Sequence, residues 1–327
     1  ALNEHSRVKA VILVSPTYDG VVSDIRAIAG EVHRRGIPLI VDEAHGAHFG
    51  FHPYFPESAL KQGADVVIHS LHKTLPAPTQ TALLHVDGPY ADRSRIFRYL
   101  DMLQSSSPSY VLMAGIDRCV RLLGEKRDEL FSPYVERLER LRERLGQLEK
   151  LSLAQTERYD RSKLVLSAAR ADMTGRELYL RLLETYHLQL EMAAGSYALA
   201  MTSVGDTEEG FRRLGDALEE MDRSAGENGG EVTGQDGGLP ENEMVCSSAR
   251  IEELAREEGC IRSVPLEACE GLVSMEYAYL YPPGIPLIVP GERVSHGSLQ
   301  VLLKSRRQGF SLEGMEKEGS IRVWING

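Results

Sequence analysis

Short, largely apolar runs alternate with helically spaced segments through the first ninety or so residues. Ala10–Val14, Ile37–Val41, Ala64–His69 and Thr81–Val86 are rich in Val, Ile and Leu and bounded by polar or turn residues. Such runs predict strands buried on both faces, the habit of parallel sheets. Between the first two, Val22, Ile25, Ile28, Ala29 and Val32 recur at helical spacing, and Gly36 is placed to stop the helix. Ser58–Gln62 predicts a short helix closed by Gly63. Strand and helix in alternation, with short links, predict a parallel α/β sheet with right-handed crossovers. Ligands of such sheets bind beyond the carboxyl ends of the strands. Three polar loops leave those ends, at 15–20, 42–52 and 70–80.

The pattern then changes. Ser132-Pro133 reads as an N-cap and first helical position. Leu138, Leu141, Leu145, Leu148 and Leu151 follow at spacings of three and four, an amphipathic helix laying one face on a core. Lys163–Ala168 and Tyr197–Met201 read as strands, and Thr174–Tyr186 and Thr207–Met221 as helices, together a small α+β unit beside the sheet. Glycines 226, 229, 230, 234, 237 and 238 mark residues 224–242 as a flexible linker. Beyond it, the stretch Tyr279–Leu287 holds Pro282, Pro283 and Pro286 and excludes helix interior, so a rigid ordered loop is expected. Four parts result: residues 1–115, a sheet domain; 116–223, the small α+β domain; 224–242, the linker; and 243–327, a C-terminal domain.

Composition narrows the function classes. The chain has 327 residues, 42% of them hydrophobic and 26% charged, with a net charge of −11. That charge argues against nucleic acid or an anionic membrane surface as partner. No apolar run reaches the ~18 residues of a membrane span and no signal segment opens the chain. Cys119, Cys246, Cys260 and Cys269 form no C-x-x-C pair and read as reduced thiols. A cytoplasmic enzyme is expected. The opening Arg7-Val8-Lys9, running straight into a buried strand, suggests a chain that starts inside a domain.

The chemistry gathers in the three loops. Ile37–Val41 ends in Asp42-Glu43-Ala44-His45-Gly46, and the third strand ends in Ser70-Leu71-His72-Lys73-Thr74. A carboxylate at one strand end and a lysine at the next, flanked by hydroxyl and imidazole, suit a pyridoxal phosphate site. The aldehyde needs an amine, the pyridine nitrogen an acid partner, and the phosphate several donors. Lys73 is the candidate amine and Asp42 the candidate partner of the ring nitrogen. Ser70 and His72 are candidate phosphate donors, and Ala44 is small enough for a planar ring to lie against it. His45 is placed in the substrate site, as a candidate catalytic and cofactor-binding residue. Thr17, a candidate cofactor contact, and Asp19 leave the first strand at the same edge; Asp19 suits the ring hydroxyl, the substrate amine or a cationic substrate head, or an Asx turn with Gly20. His45, His48 and His52 lie on a Gly- and Pro-containing loop rather than a helix, so no metal site is expected.

These segments resemble the Orn/Lys/Arg decarboxylase family of fold-type-I pyridoxal phosphate enzymes, its shorter bacterial form above all. The carrying motifs are S-P-T-Y-D-G at 15–20, D-E-A-H-G-A-H at 42–48, S-L-H-K-T-L at 70–75, S-S-P-S-Y at 106–110 and Y-P-P-G-I-P at 281–286. The resemblance implies an aspartate-aminotransferase-like large domain followed by small α+β units, and a homodimer or larger homo-oligomer. It implies decarboxylation of a basic amino acid, arginine first and lysine or ornithine next, in polyamine metabolism. It puts Lys73 on the aldehyde, Asp42 on the ring nitrogen, and Ser70 and His72 on the phosphate. Asp19 and Glu292 are candidates for the substrate's cationic side chain. The family carries a phosphate-binding turn and a ring-stacking residue ahead of the strand at Ala10, and neither is found here. About four of seven strands remain, so an open edge and an apolar face are expected. An aminotransferase or C–S lyase of the same fold is the rival enzyme reading. An inactive fragment or oligomerisation module is the other.

Overall fold

A computed structural model describes every residue except 1, 4, 6, 227–239, 255, 257–259, 282–283, 308–309 and 326–327. Most of the stretch read as a linker, 227–239, therefore lies outside the described residues. The chain divides into two compact units, Ala1–Gly230 and Glu231–Gly327.

The first unit opens with strand β1 (Val11–Val14), helix α1 (Ile25–His33) and strand β2 (Leu39–Asp42). Then come β3 (Val66–Ser70), the four-residue helix α2 (Leu71–Thr74) and β4 (Ala82–Val86). They form a four-stranded sheet in the order β1-β2-β3-β4. β1, β2 and β3 are parallel, with Val14 beside Asp42 and Asp42 beside Ile68. α1, capped by the Asp24 carboxylate on the Ala27 N–H, buries Ile25, Ala29 and Val32 against Leu39, Val41 and Val67. Each buried Ile, Val or Leu among them contributes about 1.5–3 kcal/mol. The opposite face of the sheet is open: Ile12 is 69% and Val14 55% exposed.

Two expectations for this sheet fail. β4 runs antiparallel to β3, because the link between them is shorter than the dozen or so residues a parallel crossover needs. Residues 58–62 form turns, not a helix. The Ser58 hydroxyl and the Ala59 N–H both donate to buried Glu43, which ties this segment to the end of β2.

Helix α3 (Arg93–Leu103) buries no residue. Helix α4 then runs Tyr110–Leu145, capped by the Ser109 hydroxyl and interrupted by non-helical backbone at Lys126. Ser132-Pro133 is therefore not a helix start. Pro133 lies inside the helix, within two turns of the break. The leucines read from the pattern do face the core, with Leu138, Leu141 and Leu145 buried beside Phe131 and Tyr134. Strands β5 (Ser152–Ala154), β6 (Lys163–Ser167), β7 (Met192–Ala194) and β8 (Tyr197–Met201) form an antiparallel sheet ordered β5-β6-β8-β7. Helices α5 (Gly175–Glu184), with a full capping box at Thr174 and Glu177, and α6 (Glu208–Ser224) pack with it into one core through Leu164, Leu166, Leu178, Leu182, Leu214 and Leu218.

The second unit holds a five-stranded sheet and a three-stranded sheet around Leu266, Ile288, Leu302, Ile321 and Val323. The stretch expected to be a rigid loop is largely a hairpin: Ala278–Tyr281 pairs antiparallel with Ile285–Ile288. Pro286 sits on the outer strand of that sheet, where its missing N–H disturbs no ladder. Pro282 and Pro283 lie outside the described residues.

Candidate active site

β2 and β3 end side by side, and the residues that follow them meet. Lys73 is half-buried in α2, and its Nζ lies 3.0 Å from Nε2 of buried His45. Asp42 closes β2; its Oδ1 accepts from the Ala44 N–H at 3.0 Å. Its other oxygen has no hydrogen bond among the described residues. Ser70 ends β3, and its hydroxyl caps nothing. His72 Nδ1 lies 3.0 Å from the Thr81 carbonyl, so Nδ1 carries the proton and Nε2 can donate only as a cation.

The loop after β1 is folded on itself and onto residues 158–163. The Thr17 hydroxyl accepts from the Val21 N–H at 3.0 Å and the Gly20 N–H donates to the Thr17 carbonyl at 2.9 Å. Thr17 thus shapes the turn with its side chain. The Asp160 N–H donates to the Gly20 carbonyl, and Val22 N–H to the Arg158 carbonyl. Gly20 has φ +97° and a Cβ there would stand 2.9 Å from Cγ of Lys163; both its backbone and the close approach require glycine. Asp19 does not close an Asx turn but accepts from the Tyr197 hydroxyl at 2.8 Å. Burial and the neighbouring Asp19 carboxylate raise the Tyr197 phenol above its ordinary range, so Tyr197 stays a donor.

The structure adds a residue that pattern reading passed over. Lys163, the first residue of β6, is 1% exposed, and its Nζ lies 2.9 Å from His45 Nδ1. His45 therefore stands between two lysines. Burial, then the charges of Lys163 and Lys73, push its imidazole down to about 3, against the opposing pull of Asp160. It is neutral at pH 7. Burial also pushes Lys163 down to about 8, while Asp160, Glu191 and Asp19 hold it up and Lys73 lowers it further. Burial works to raise Asp160, yet His48, Lys163 and Ser162 keep it below the usual carboxylate range. Asp160 accepts from the Ser162 hydroxyl at 2.8 Å and the Ser162 N–H at 2.9 Å, and lies 3.1 Å from His48 Nε2. The Tyr18 ring lies 4.7 Å from the His45 ring and its hydroxyl donates to Glu191. A lysine opening an apolar strand was the one sequence signal for Lys163.

Two other candidates have partners of their own. His52 Nδ1 accepts from the Tyr54 N–H at 3.1 Å. Glu292 belongs to the second unit, where its carboxylate takes the Val289 N–H at 2.9 Å and the Asn242 amide at 3.1 Å. A cavity of about 950 Å³ lined by Phe49, His69, Leu83, His85 and Cys119 includes neither Lys73 nor Asp42.

This arrangement sits on a known architecture. The chain superposes on the constitutive lysine decarboxylase of E. coli with a TM-score of 0.76 at 19% identity, covering 97% of this chain and 58% of that one. It also superposes on an alanine–glyoxylate aminotransferase from Nostoc, with a TM-score of 0.54 at 17% identity, over 67% of this chain and 63% of the other. The fold is thus the aminotransferase-like one, with small α+β units following the large-domain sheet. Residues 1–194 match the major domain of the Orn/Lys/Arg decarboxylases and residues 234–318 their C-terminal domain; the chain belongs to that family. Arginine decarboxylase of Bacillus subtilis is 30% identical over 326 residues, 97% of this chain. The chain spans 65% of the length of that relative.

Proposed function

We propose that the chain serves the pyridoxal phosphate-dependent decarboxylation of a basic amino acid, arginine first and lysine or ornithine next. The observation that carries the reading is the amine of Lys73 beside a carboxylate-bearing strand end, on a chain of this family. The donor set fits the cofactor on one side. Lys73 would offer an amine to the aldehyde, the outer oxygen of Asp42 an acid partner to the ring nitrogen, and the Ser70 hydroxyl and, when protonated, His72 Nε2 two donors to the phosphate. When bound, pyridoxal phosphate supplies an aldehyde that takes the substrate amine and a ring that accepts the electron pair left as CO₂ departs.

The chain's own groups orient and move protons. Asp42, held by the Ala44 N–H, would pair with the ring nitrogen. Neutral His45 can hand a proton between its Nε2 and the Lys73 nitrogen, 3.0 Å away, and either group can supply the proton that replaces the carboxylate at Cα. Asp19 and, by the resemblance, Glu292 are the groups proposed to meet the substrate's cationic end. The product amine would enter polyamine formation. A homodimer or larger homo-oligomer would cover Phe97, Met102, Leu103, Tyr110 and Val111, all exposed on α3 and α4. A cytoplasmic place accords with four free cysteines and with no helix of the described residues being long and apolar enough to cross a membrane.

The test is to supply arginine, lysine and ornithine with the cofactor, to the chain and to a full-length relative. Released CO₂ and agmatine, cadaverine or putrescine are then measured. No amine from any of the three would sink the substrate class, and keto-acid formation would favour the aminotransferase reading. Borohydride trapping of cofactor on Lys73 separates an enzyme from an inactive module.

A further inference from the structure

The cavity of about 950 Å³ that includes neither Lys73 nor Asp42 has no task in the reading above. Its walls include Phe49, Leu71, Leu75, Leu83, Cys119 and Leu123, and one side is the stretch of α4 around the break at Lys126. Pockets of about 300–1,000 Å³ with apolar walls and few polar groups suit small organic guests. Most polar side chains here are already taken. Buried Glu43 accepts from the Ser58 hydroxyl, the Ala59 N–H and His69 Nε2, the last at 2.7 Å. His69 Nδ1 lies 3.1 Å from His85 Nε2, so both nitrogens of His69 are used. Of the charged residues on the wall, Lys126 pairs with Glu129 and Arg127 with Asp128. Three groups are left. Half-buried His85 has no hydrogen-bond partner at Nδ1 among the described residues, and exposed Lys61 and Glu125 have no ion pair among them.

We propose that this cavity binds an apolar monocarboxylate, an aliphatic or aryl acid, with its head on His85 Nδ1 beside Lys61 and its body among the apolar walls. The head group does not depend on where the protons of the imidazole chain lie. With His69 neutral, its Nε2–H serves Glu43 and its Nδ1 takes the His85 Nε2–H. His85 Nδ1 is then a lone pair that takes up the acid's proton. With His69 a cation, His85 Nδ1 already carries a proton and donates it to the carboxylate. Both cases end in the same N–H to carboxylate bond. A primary ammonium would bind only in the first case, and it would meet the charge of Lys61. Lys61 belongs to the imidazole end of the cavity, because its N–H donates to the carbonyl of Ser58, whose hydroxyl is tied to Glu43. Glu125 belongs to the other wall, α4.

The test titrates the whole chain with octanoate, phenylbutyrate, octanol and octylammonium, read by calorimetry and by ¹⁵N NMR of the histidine rings. At least one of the two acids should bind once per chain, saturate at or below about 1 mM, and move the His85 nitrogens. Octanol keeps an apolar body without the charge and should bind about tenfold more weakly than octanoate. Octylammonium should not bind. His85→Leu should weaken the acid about tenfold or more. Lys61→Glu, at an exposed position, should weaken it about two- to fivefold and leave octanol unchanged. Saturable binding of neither acid overturns the proposal, and so does octylammonium bound as tightly as the acids. An acid held equally well by His85→Leu also overturns it, placing the guest on an exposed apolar face such as that of Ile12 or Phe97. Should His85→Leu fail to fold, the ring nitrogens of the unsubstituted chain decide, and a His85 signal unmoved at saturation overturns it. None of these readings involves cofactor or amine formation, so the cavity and the activity stand or fall separately.

Discussion

The two sheets of the first unit supply the same site in opposite ways. The β1–β4 sheet puts its chemistry on loops beyond strand ends, where Asp42, Ser70 and Lys73 keep polar atoms open to a ligand. One of its faces is bare, with Ile12 and Val14 largely exposed. The β5–β8 sheet is closed by α4, α5 and α6, and what it gives the site is a buried side chain, Lys163, at the first position of β6. An ammonium taken out of water is costly unless partnered. Asp160 comes with that sheet, just ahead of β6, while His45 and Asp19 reach Lys163 from the loops of the first, Asp19 accepting from Tyr197 of β8. Groups that must meet a ligand sit on loops held by a scaffold. Lys163 sits where water is excluded.

Breaking the contrast at its exposed end should have the largest effect. Lys73→Ala should abolish borohydride-trapped cofactor and cut amine formation on the order of 10³-fold or more, with the melting curve little changed. At the buried end, Asp160→Ala removes a carboxylate that serves His48, Ser162 and Lys163. Loss of one partner of a buried charged pair costs about 3–5 kcal/mol, measurable as a lowered denaturant midpoint, and a loss below about 1 kcal/mol would show the network to be idle. Lys163 should leave a signature in pH. Its folded value, about 8, lies below the ordinary 10.5. Between those values the unfolded chain holds the proton and the folded one does not, so stability rises with pH across that window. The stability of the chain relative to Lys163→Met should therefore climb by about 3 kcal/mol from pH 8 to 10.5. A flat difference would place the lysine in water. Asp42→Asn keeps the shape and removes the charge, and should weaken cofactor retention by about 10- to 100-fold, the worth of one charge-assisted bond. The smallest effect belongs to the bare face. Ile12→Thr should change stability by no more than about 0.5 kcal/mol, whereas Leu166→Ala, in the closed core, should cost about 2–5 kcal/mol. A large loss at Ile12 would show that the face is covered in solution.

The legibility of this protein divides along the same line. Asp42, His45, Ser70, His72 and Lys73 could be read because each follows an apolar run, and a polar residue at the end of a buried strand has few structural reasons to be there. The direction of β4 could not, since an apolar run has no polarity; only the length of the link to β3 carried a hint. The helix that starts at Tyr110 was obscured by Ser132-Pro133, a good cap in isolation that is overridden because the chain is already helical when it reaches Pro133. Residues 58–62 lost their helix to Glu43, a carboxylate far from them in sequence.

By itself, then, the sequence determined the strand ends, the acid and the amine they carry, and the family, because periodicity and short motifs are local. Tertiary structure alone decided that His45 lies between two lysines, that Asp160 and Asp19 serve a buried cation, and which carboxylates are already taken. Those facts depend on contacts such as Lys163 with His45, between segments more than a hundred residues apart. A lysine in water and a lysine buried against an imidazole have the same letter; desolvation and the partner's free nitrogen, which only folding provides, give them different chemistry.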